Sequence, residues 1–382
     1  MKIVTISSLF PNKKEPNKGI FTLKILEKLQ DDEIVAIAPI PWFPFVKKNR
    51  IRGVPFKEEI KGITIYHPKF FSIPFFLKSL DAFLFYRSLK RFEDIIKRSD
   101  VIYSSYGYPD GLGSYYLARK FRKPFFITLH RGDIINWGKK RFLRKKLRNM
   151  VKNASKVFVV SETMRRLIRG HKKNKNIIVI PNGVDTNLFK PIDKKKSRKK
   201  LDIDNDSRVF LTIGNAMKRK GYFELARSFD ELETKNKLLL IIGNHDKKEL
   251  SEFKNMIKKL KSKDKIILVG EVANEKIKDY YSAADAYCLV SYSEGWPCSV
   301  MESLACGRPC IVTKESAGEF ITKDLGIITD YDNLTENLEK ALRKKWDKRK
   351  ILKFAQENSW DKCAGKVYGL FQASLRNHKI YK

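Results

Sequence analysis

Short apolar runs recur along the first half of the chain, spaced so that a helix fits between them. KIVTIS (2–7), EIVAIAPI (33–40), DVIYSSY (100–106), PFFITLH (124–130) and KVFVVS (156–161) are rich in β-branched and aromatic residues, and each predicts a buried strand. Between them, GIFTLKILEKLQ (19–30), GSYYLARKF (113–121) and KKRFLRKKLRNMVKNA (139–154) carry apolar positions at helical spacing. Strands alternating with helices predict a doubly wound, mainly parallel α/β sheet. IIVIPNGVDTNLFKP (177–191) is followed by KKKSRKKLDIDNDS, which has no apolar period and is expected to be the domain linker. The alternation then restarts with RVFLTIGN (208–215), LLLIIGN (238–244), KIILVGE (265–271) and AYCLVS (286–291), with a helix through GYFELARSFDEL (221–232). The expectation is two Rossmann-like domains facing across a cleft, residues 1–190 and 191–360, with ligands beyond the carboxyl ends of the strands.

A length of 382 residues suits two domains, and a hydrophobic content of 42% is enough for real cores. Lys and Arg number 79 against 43 acids, a net charge of +36, which favours an anionic partner. Nucleic acid, an anionic membrane and a phosphorylated small molecule all fit that sign. The basic residues are dispersed, however, and no finger, RNP or helix-turn-helix signature occurs, so nucleic acid is not the expected partner.

Five cysteines at 288, 298, 306, 310 and 363 include no CxxC pair. They predict small buried residues in a reducing cytosol rather than a zinc site or disulfide framework. MKIVTISSLF lacks the apolar core and cleavage site of a signal peptide, and no run reaches 18 clean apolar residues. A cytoplasmic protein is expected. In residues 70–92, Phe71, Phe75, Phe76, Phe83 and Phe85 accompany Lys78, Arg87, Lys90 and Arg91. Such a segment suits an amphipathic helix pair packed into a core, or the surface of an anionic membrane on its inner face.

The stretch SEGWPCSVMESLACGRPCIVT (293–313) carries the most chemistry. It turns at the carboxyl end of AYCLVS, and Pro297 suits the first turn of a helix SVMESLA that Gly307 stops. Amides at that helix start, around Ser299 and Val300, favour an anion. Glu302 lies one turn inside with its Cβ tilted back, so it can accept bonds from hydroxyls beside an anchored phosphate. Glu294 sits on the turn. A nucleotide sugar would satisfy all three: diphosphate at the amides, ribose on Glu302, sugar near Glu294. The structural alternative makes Glu302 a helix-dipole partner and Glu294 an exposed turn residue.

SAADAYCLVSYSEGWPCSVMESLACGRPCIVT resembles the signature of glycosyltransferase family 4, with its two glutamates separated by seven residues. LTIGNAMKRKGYFELARSF, LLLIIGNHDKKEL, KIILVGEVANEKIKDYYSAAD, IIVIPNGVDTNLFKP and KVFVVSETMRRLI are similar to further family segments. SSLFPNKKEPNKGIFTLKILEKL resembles the opening of a branch acting in cell-envelope or secreted polysaccharide assembly. The resemblance covers nearly the whole chain and implies a GT-B fold and a retaining, metal-independent transferase. Its donor would be a nucleoside-diphosphate sugar, and its acceptor a glycan or a lipid-linked molecule.

Carried over by position, Glu294 contacts the donor sugar and Glu302 the ribose. Lys220 neutralises the diphosphate, where charge grows as the nucleotide departs. Asn215 stands where many relatives have Arg, a deficit that Lys218 or Arg219 would make good. Val272 lies where backbone contacts the base. His130 approaches the donor sugar, Asp133 is a polar partner for sugar or acceptor, and Gly19 belongs to the first βα loop. The final helix, 361–382, is expected to complete the N-terminal domain. No carboxylate is placed as a covalent nucleophile, so front-face attack assisted by the departing phosphate is expected. DID and DND (202–206) match a metal motif only formally, within the charged stretch, and no metal or cofactor is expected. A nucleotide-sugar epimerase of the same fold, a degenerate transferase and a basic nucleic-acid-binding protein are the alternatives.

Overall fold

The structure, a computed structural model, describes all residues other than 30, 45–52, 74–77, 138–140, 169–174, 216 and 381–382, and no side chain at 135–137, 141–142 or 377–380. The chain divides into two compact units, Met1–Pro181 with Cys363–Lys382, and Asn182–Lys362.

Unit 1 contains β1 (Lys2–Ile6), β2 (Glu33–Ile37), β3 (Ile40–Trp42), β4 (Lys57–Ile60), β5 (Ile63–Tyr66), β6 (Lys69–Phe71), β7 (Val101–Ser105), β8 (Phe125–Leu129), β9 (Lys156–Val159) and β10 (Ile177–Val179). Eight strands form one sheet in the order β10-β9-β8-β7-β1-β2-β5-β4, and β3 pairs with β6. Only β4 runs antiparallel to its neighbour in the large sheet. Every residue of β7 and β8 is buried. That is the demand a parallel sheet covered on both faces makes, and it explains the continuous apolar runs. The helix Trp360–Ile380 contributes Phe371 to this core, its ring 4.5 Å from Phe126 and 5.6 Å from Tyr103 between centroids.

Unit 2 contains β11 (Arg208–Ile213), β12 (Lys237–Ile242), β13 (Ile266–Gly270), β14 (Ala286–Leu289), β15 (Cys310–Thr313) and β16 (Gly326–Thr329). All six are parallel, in the order β13-β12-β11-β14-β15-β16. Along β14 the side chains alternate between two apolar clusters. Tyr287 and Leu289 join Val300 and Leu304, whereas Ala286 and Cys288 join Tyr222 and Leu338. The sheet therefore separates two cores.

Two expectations are corrected. The charged stretch is no linker: Lys194–Lys200 is helical and unit 2 already begins at Asn182. Its Arg198 is buried, donating to the Ala283 carbonyl at 3.0 Å and to Asp285 at 3.0 Å, so an ion pair rather than an apolar stripe seats the helix. In residues 70–92, Phe85 is fully buried and packs on Phe70, so it faces the core. Phe71 and Phe83 are exposed, while Phe75 and Phe76 lie outside the described residues. Lys78 pairs with Asp81 at 3.2 Å. All five cysteines are free thiols; four are buried, and Cys298 is partly so. Among the described residues no helix is long and apolar enough to cross a membrane.

Candidate functional site

In unit 2, the loops at the carboxyl ends of β11 and β14 bring Lys220, Arg219 and Glu294 together. Lys220 ends the turn before the helix Tyr222–Glu231. Gly214, directly after β11, lets the lysine stem pass, since a Cβ there would lie 2.8 Å from Lys220 Cε. Lys220 Nζ meets Glu294 Oε1 at 2.7 Å, and Arg219 Nη1 meets the same oxygen at 3.2 Å. Arg219 also donates to the Ser293 carbonyl at 2.8 Å. Among the described residues Glu294 Oε2 has no bonding partner.

Glu302 projects from the helix Cys298–Ala305. The Tyr281 hydroxyl shares its proton between Glu302 Oε2, at 2.9 Å, and the Ser299 carbonyl, at 3.0 Å. Burial pushes the Glu302 carboxyl up to about 7, partly offset by that hydrogen bond. Its Oε1 has no bonding partner among the described residues. Ser299 is half-buried. Val300 is fully buried in the core and its amide donates to the Pro297 carbonyl at 3.1 Å, so it supplies packing rather than an anion contact. Val272 is half-buried against the same core, next to Gly270 at the end of β13.

Asn215 plays a different part from that of an absent arginine. Its Oδ1 accepts from the Asn244 amide at 3.0 Å, and its carbonyl lies 3.2 Å from His245 Nδ1, which ties the β11 loop to the β12 loop. Lys218 does not make up the charge either, because it pairs with Glu252 at 2.5 Å. Arg219 is the second cation beside Lys220.

In unit 1, the carboxyl ends of β1, β7 and β8 converge. His130 follows β8, with Nε2 3.2 Å from Ser105 Oγ and its ring 4.5 Å from Tyr106, nearly parallel. Tyr106 holds that position at φ 72° and ψ 138°, a positive-φ backbone nearly reserved for glycine that costs about 1–3 kcal/mol for a side-chain-bearing residue. Burial drives His130 down to about 4, so the imidazole is neutral at pH 7. Asp133 is 8% exposed, and both its oxygens are taken by backbone: Oδ2 accepts from His130 N–H at 2.8 Å, Oδ1 from Gly107 N–H at 2.9 Å. In this arrangement it clamps the backbone at His130 and Gly107. Burial raises it to about 6. Gly19 caps the helix Ile20–Leu26 at φ 63°, where a Cβ would fall 1.8 Å from the Leu9 carbonyl oxygen.

Two family models match the chain. "Glycosyl transferases group 1" matches residues 193–358, and "Glycosyltransferase Family 4" matches residues 43–188. The chain belongs to glycosyltransferase family 4. Among relatives of this glycosyltransferase is TuaC of Bacillus subtilis (strain 168), assigned to teichuronic acid biosynthesis. It is 28% identical over 331 residues, 82% of this chain and 81% of TuaC. An uncharacterized glycosyltransferase of Methanocaldococcus jannaschii is 24% identical over 97% of this chain and 99% of its own. Anabaena HepE, solved in complex with UDP, superposes with a TM-score of 0.74 at 18% identity, covering 98% and 100% of the two chains. The fold is therefore GT-B, and the chain is an enzyme that transfers glycosyl groups.

Several of this glycosyltransferase's site residues escape sequence reading. Tyr281 reaches Glu302 from a separate helix, and no spacing announces it. Asp110 accepts from Ser8 N–H at 2.6 Å, Ser8 Oγ at 2.9 Å and Ser7 Oγ at 3.2 Å, fixing the loop after β1. Burial lifts its carboxyl to about 7. The only sequence hint was the YPDG turn beyond β7.

Proposed function

We propose that the enzyme moves a sugar from a nucleoside-diphosphate donor to an acceptor hydroxyl with retention at the anomeric carbon. The observation that carries this reading is the pairing of Glu294 Oε1 with Lys220 and Arg219 while Oε2 stays uncommitted. Lys220, with Arg219, balances the diphosphate as its charge grows, and Glu302 Oε1 accepts from the ribose. Glu294 Oε2 accepts from a sugar hydroxyl. A carboxylate held between two cations is a poor nucleophile, which supports front-face attack over a covalent intermediate. In that step the bond from the anomeric carbon to the phosphate oxygen breaks and the bond to the acceptor oxygen forms. The acceptor proton passes to the departing phosphate. Neutral His130 serves the sugar as a hydrogen-bonding group, not as a charge.

The UDP complex of HepE supports a nucleotide donor, and the assignment of TuaC supports an acceptor used in polysaccharide or glycolipid assembly. Exposed Phe71 and Phe83, with Arg87, Lys90 and Arg91 nearby in sequence, support work at the cytoplasmic face of an anionic membrane. Sedimentation with anionic liposomes at low salt tests that part, and a protein left in the supernatant removes it. The donor is tested by melting the enzyme with UDP, GDP and ADP and their sugars. One nucleotide at about 100 times its Kd should stabilise by about 2.7 kcal/mol. The effect should vanish in Glu302→Ala and Lys220→Ala. Indifference to all three nucleotides overturns the reading.

A further inference from the structure

A cavity of 680 Å³ opens in unit 2 beyond the carboxyl ends of β15 and β16, and the donor reading makes no use of it. Tyr292, Thr313, Lys314 and Glu315 line one side, and Tyr331 and Asn337 the other. Its volume falls within the scale of small-molecule pockets, about 300–1,000 Å³. Tyr331 and the helix Leu334–Arg343 belong to the core shared with Tyr222, on the face of the sheet opposite Val300 and the helix that carries Glu302.

The walls are fixed. Thr313 Oγ1 donates to the Ser291 carbonyl at 2.7 Å, and the Tyr331 hydroxyl donates to the Val290 carbonyl at 2.8 Å. The Tyr292 and Tyr331 rings lie 4.9 Å apart. Tyr292 is 50% exposed, so an aromatic surface set beside Tyr331 faces solvent at the mouth.

The chemistry of the lining selects the ligand. Glu315, Asp330 and Glu336 oppose only Lys314 and Lys340, and Lys340 is already paired with Glu336 at 2.7 Å. In a chain of net charge +36 this cavity is on the acidic side of neutral, which disfavours phosphate and nucleotides. Carboxylates, side-chain amides and threonine hydroxyls together offer both donors and acceptors, as a polyol requires. An aromatic face matches the apolar, weakly positive C–H face of a pyranose ring. We propose that this cavity is a second carbohydrate site, for a neutral oligosaccharide such as a segment of glycan. It touches the donor loop through backbone: Glu294 N–H donates to the Glu315 carbonyl at 3.3 Å, and Tyr292 N–H to the Arg219 carbonyl at 3.0 Å. Glycan held here would steady the segment that carries Glu294 and Arg219.

Saturation-transfer NMR on the full chain tests this without any nucleotide, so its outcome is independent of the donor reading. Maltotriose and chitotriose are the probes, with sorbitol as a hydroxyl-rich control lacking a ring face. At about 10 mM, transfer to at least one trisaccharide and none to sorbitol is expected. Tyr292→Ala should lower the signal at least about fivefold, Tyr292→Phe should keep it, and Glu302→Ala should leave it unchanged. Glu315→Ala, an exposed substitution, should also lower it and serves if Tyr292→Ala does not fold. Silence with both trisaccharides, equal transfer to sorbitol, or persistence in Tyr292→Ala and Glu315→Ala overturns the proposal. So does loss in Glu302→Ala, which would put the sugar at the donor groups.

Discussion

Carboxylates stand at the carboxyl edge of both parallel sheets, and the two units treat them in opposite ways. In unit 2, Glu294 and Glu302 each commit one oxygen to the protein and keep the other uncommitted among the described residues. In unit 1, Asp133 and Asp110 spend both oxygens on backbone and hydroxyl donors. The first pattern leaves an acceptor for a ligand. The second gives up the acceptor to hold a loop in place. Counting oxygens therefore separates carboxylates that keep one wholly uncommitted, such as Glu294 and Glu302, from Asp133, whose two oxygens each hold a backbone amide.

The contrast can be broken most directly at Glu294. Glu294→Ala should cut the release of nucleoside diphosphate from the donor about 10³-fold; because it also leaves the largely buried Lys220 without its carboxylate, urea unfolding of the variant separates lost stability from lost chemistry. Turnover within tenfold of the parent would mean that the uncommitted oxygen has no task. Asp133→Ala should do the reverse. Leaving two buried amides unpaired should cost about 2–4 kcal/mol in urea unfolding. A cost below about 0.5 kcal/mol would show that the clamp is ornamental. Gly19→Ala should cost about 1–3 kcal/mol, because its left-handed backbone and its approach to Leu9 both resist a Cβ.

The smallest effect expected is a pH dependence. Ionised Glu302 accepts from ribose and protonated Glu302 does not. With its pKa at about 7, nucleotide affinity should fall about tenfold between pH 8 and pH 6, and Glu302→Gln should abolish the slope. Stability without ligand runs the other way. A carboxyl raised in the folded state binds its proton more tightly there than when unfolded, so its contribution is largest below about 4.5 and fades as pH rises through 7. His130, held down at about 4, opposes this by losing stability as pH falls from about 6.5. Melting profiles of Glu302→Gln and His130→Gln between pH 4 and 8 separate the two signs.

How much of this was legible in the sequence follows from the same physics. Strands buried on both faces, such as β7 and β8, announce themselves as apolar runs, Glu294 and Glu302 sit in one recognisable pattern, and Lys220 sits in a separate segment, KRKG. β4, β5 and β6 went unread, since KEEI carries three charges in four residues and the pieces are short. The helix Lys194–Lys200 was mistaken for a linker because Arg198 is seated by an ion pair, which leaves no periodic trace. Tyr281 and Asp110 act through contacts that join distant parts of each unit. Such pairs depend on the folded register of strands and are absent from local pattern.

The helix Trp360–Ile380 carries a consequence for how the protein is made. Its ring at Phe371 packs on Phe126 and Tyr103 of unit 1, which lie before residue 182, and burying such a side chain is worth about 1.5–3 kcal/mol. During synthesis, unit 2 has nearly all of its own residues before that ring leaves the ribosome. The half of the protein that starts first is thus the one that finishes last, waiting with an open seam at Phe126 and Tyr103 while its younger neighbour closes.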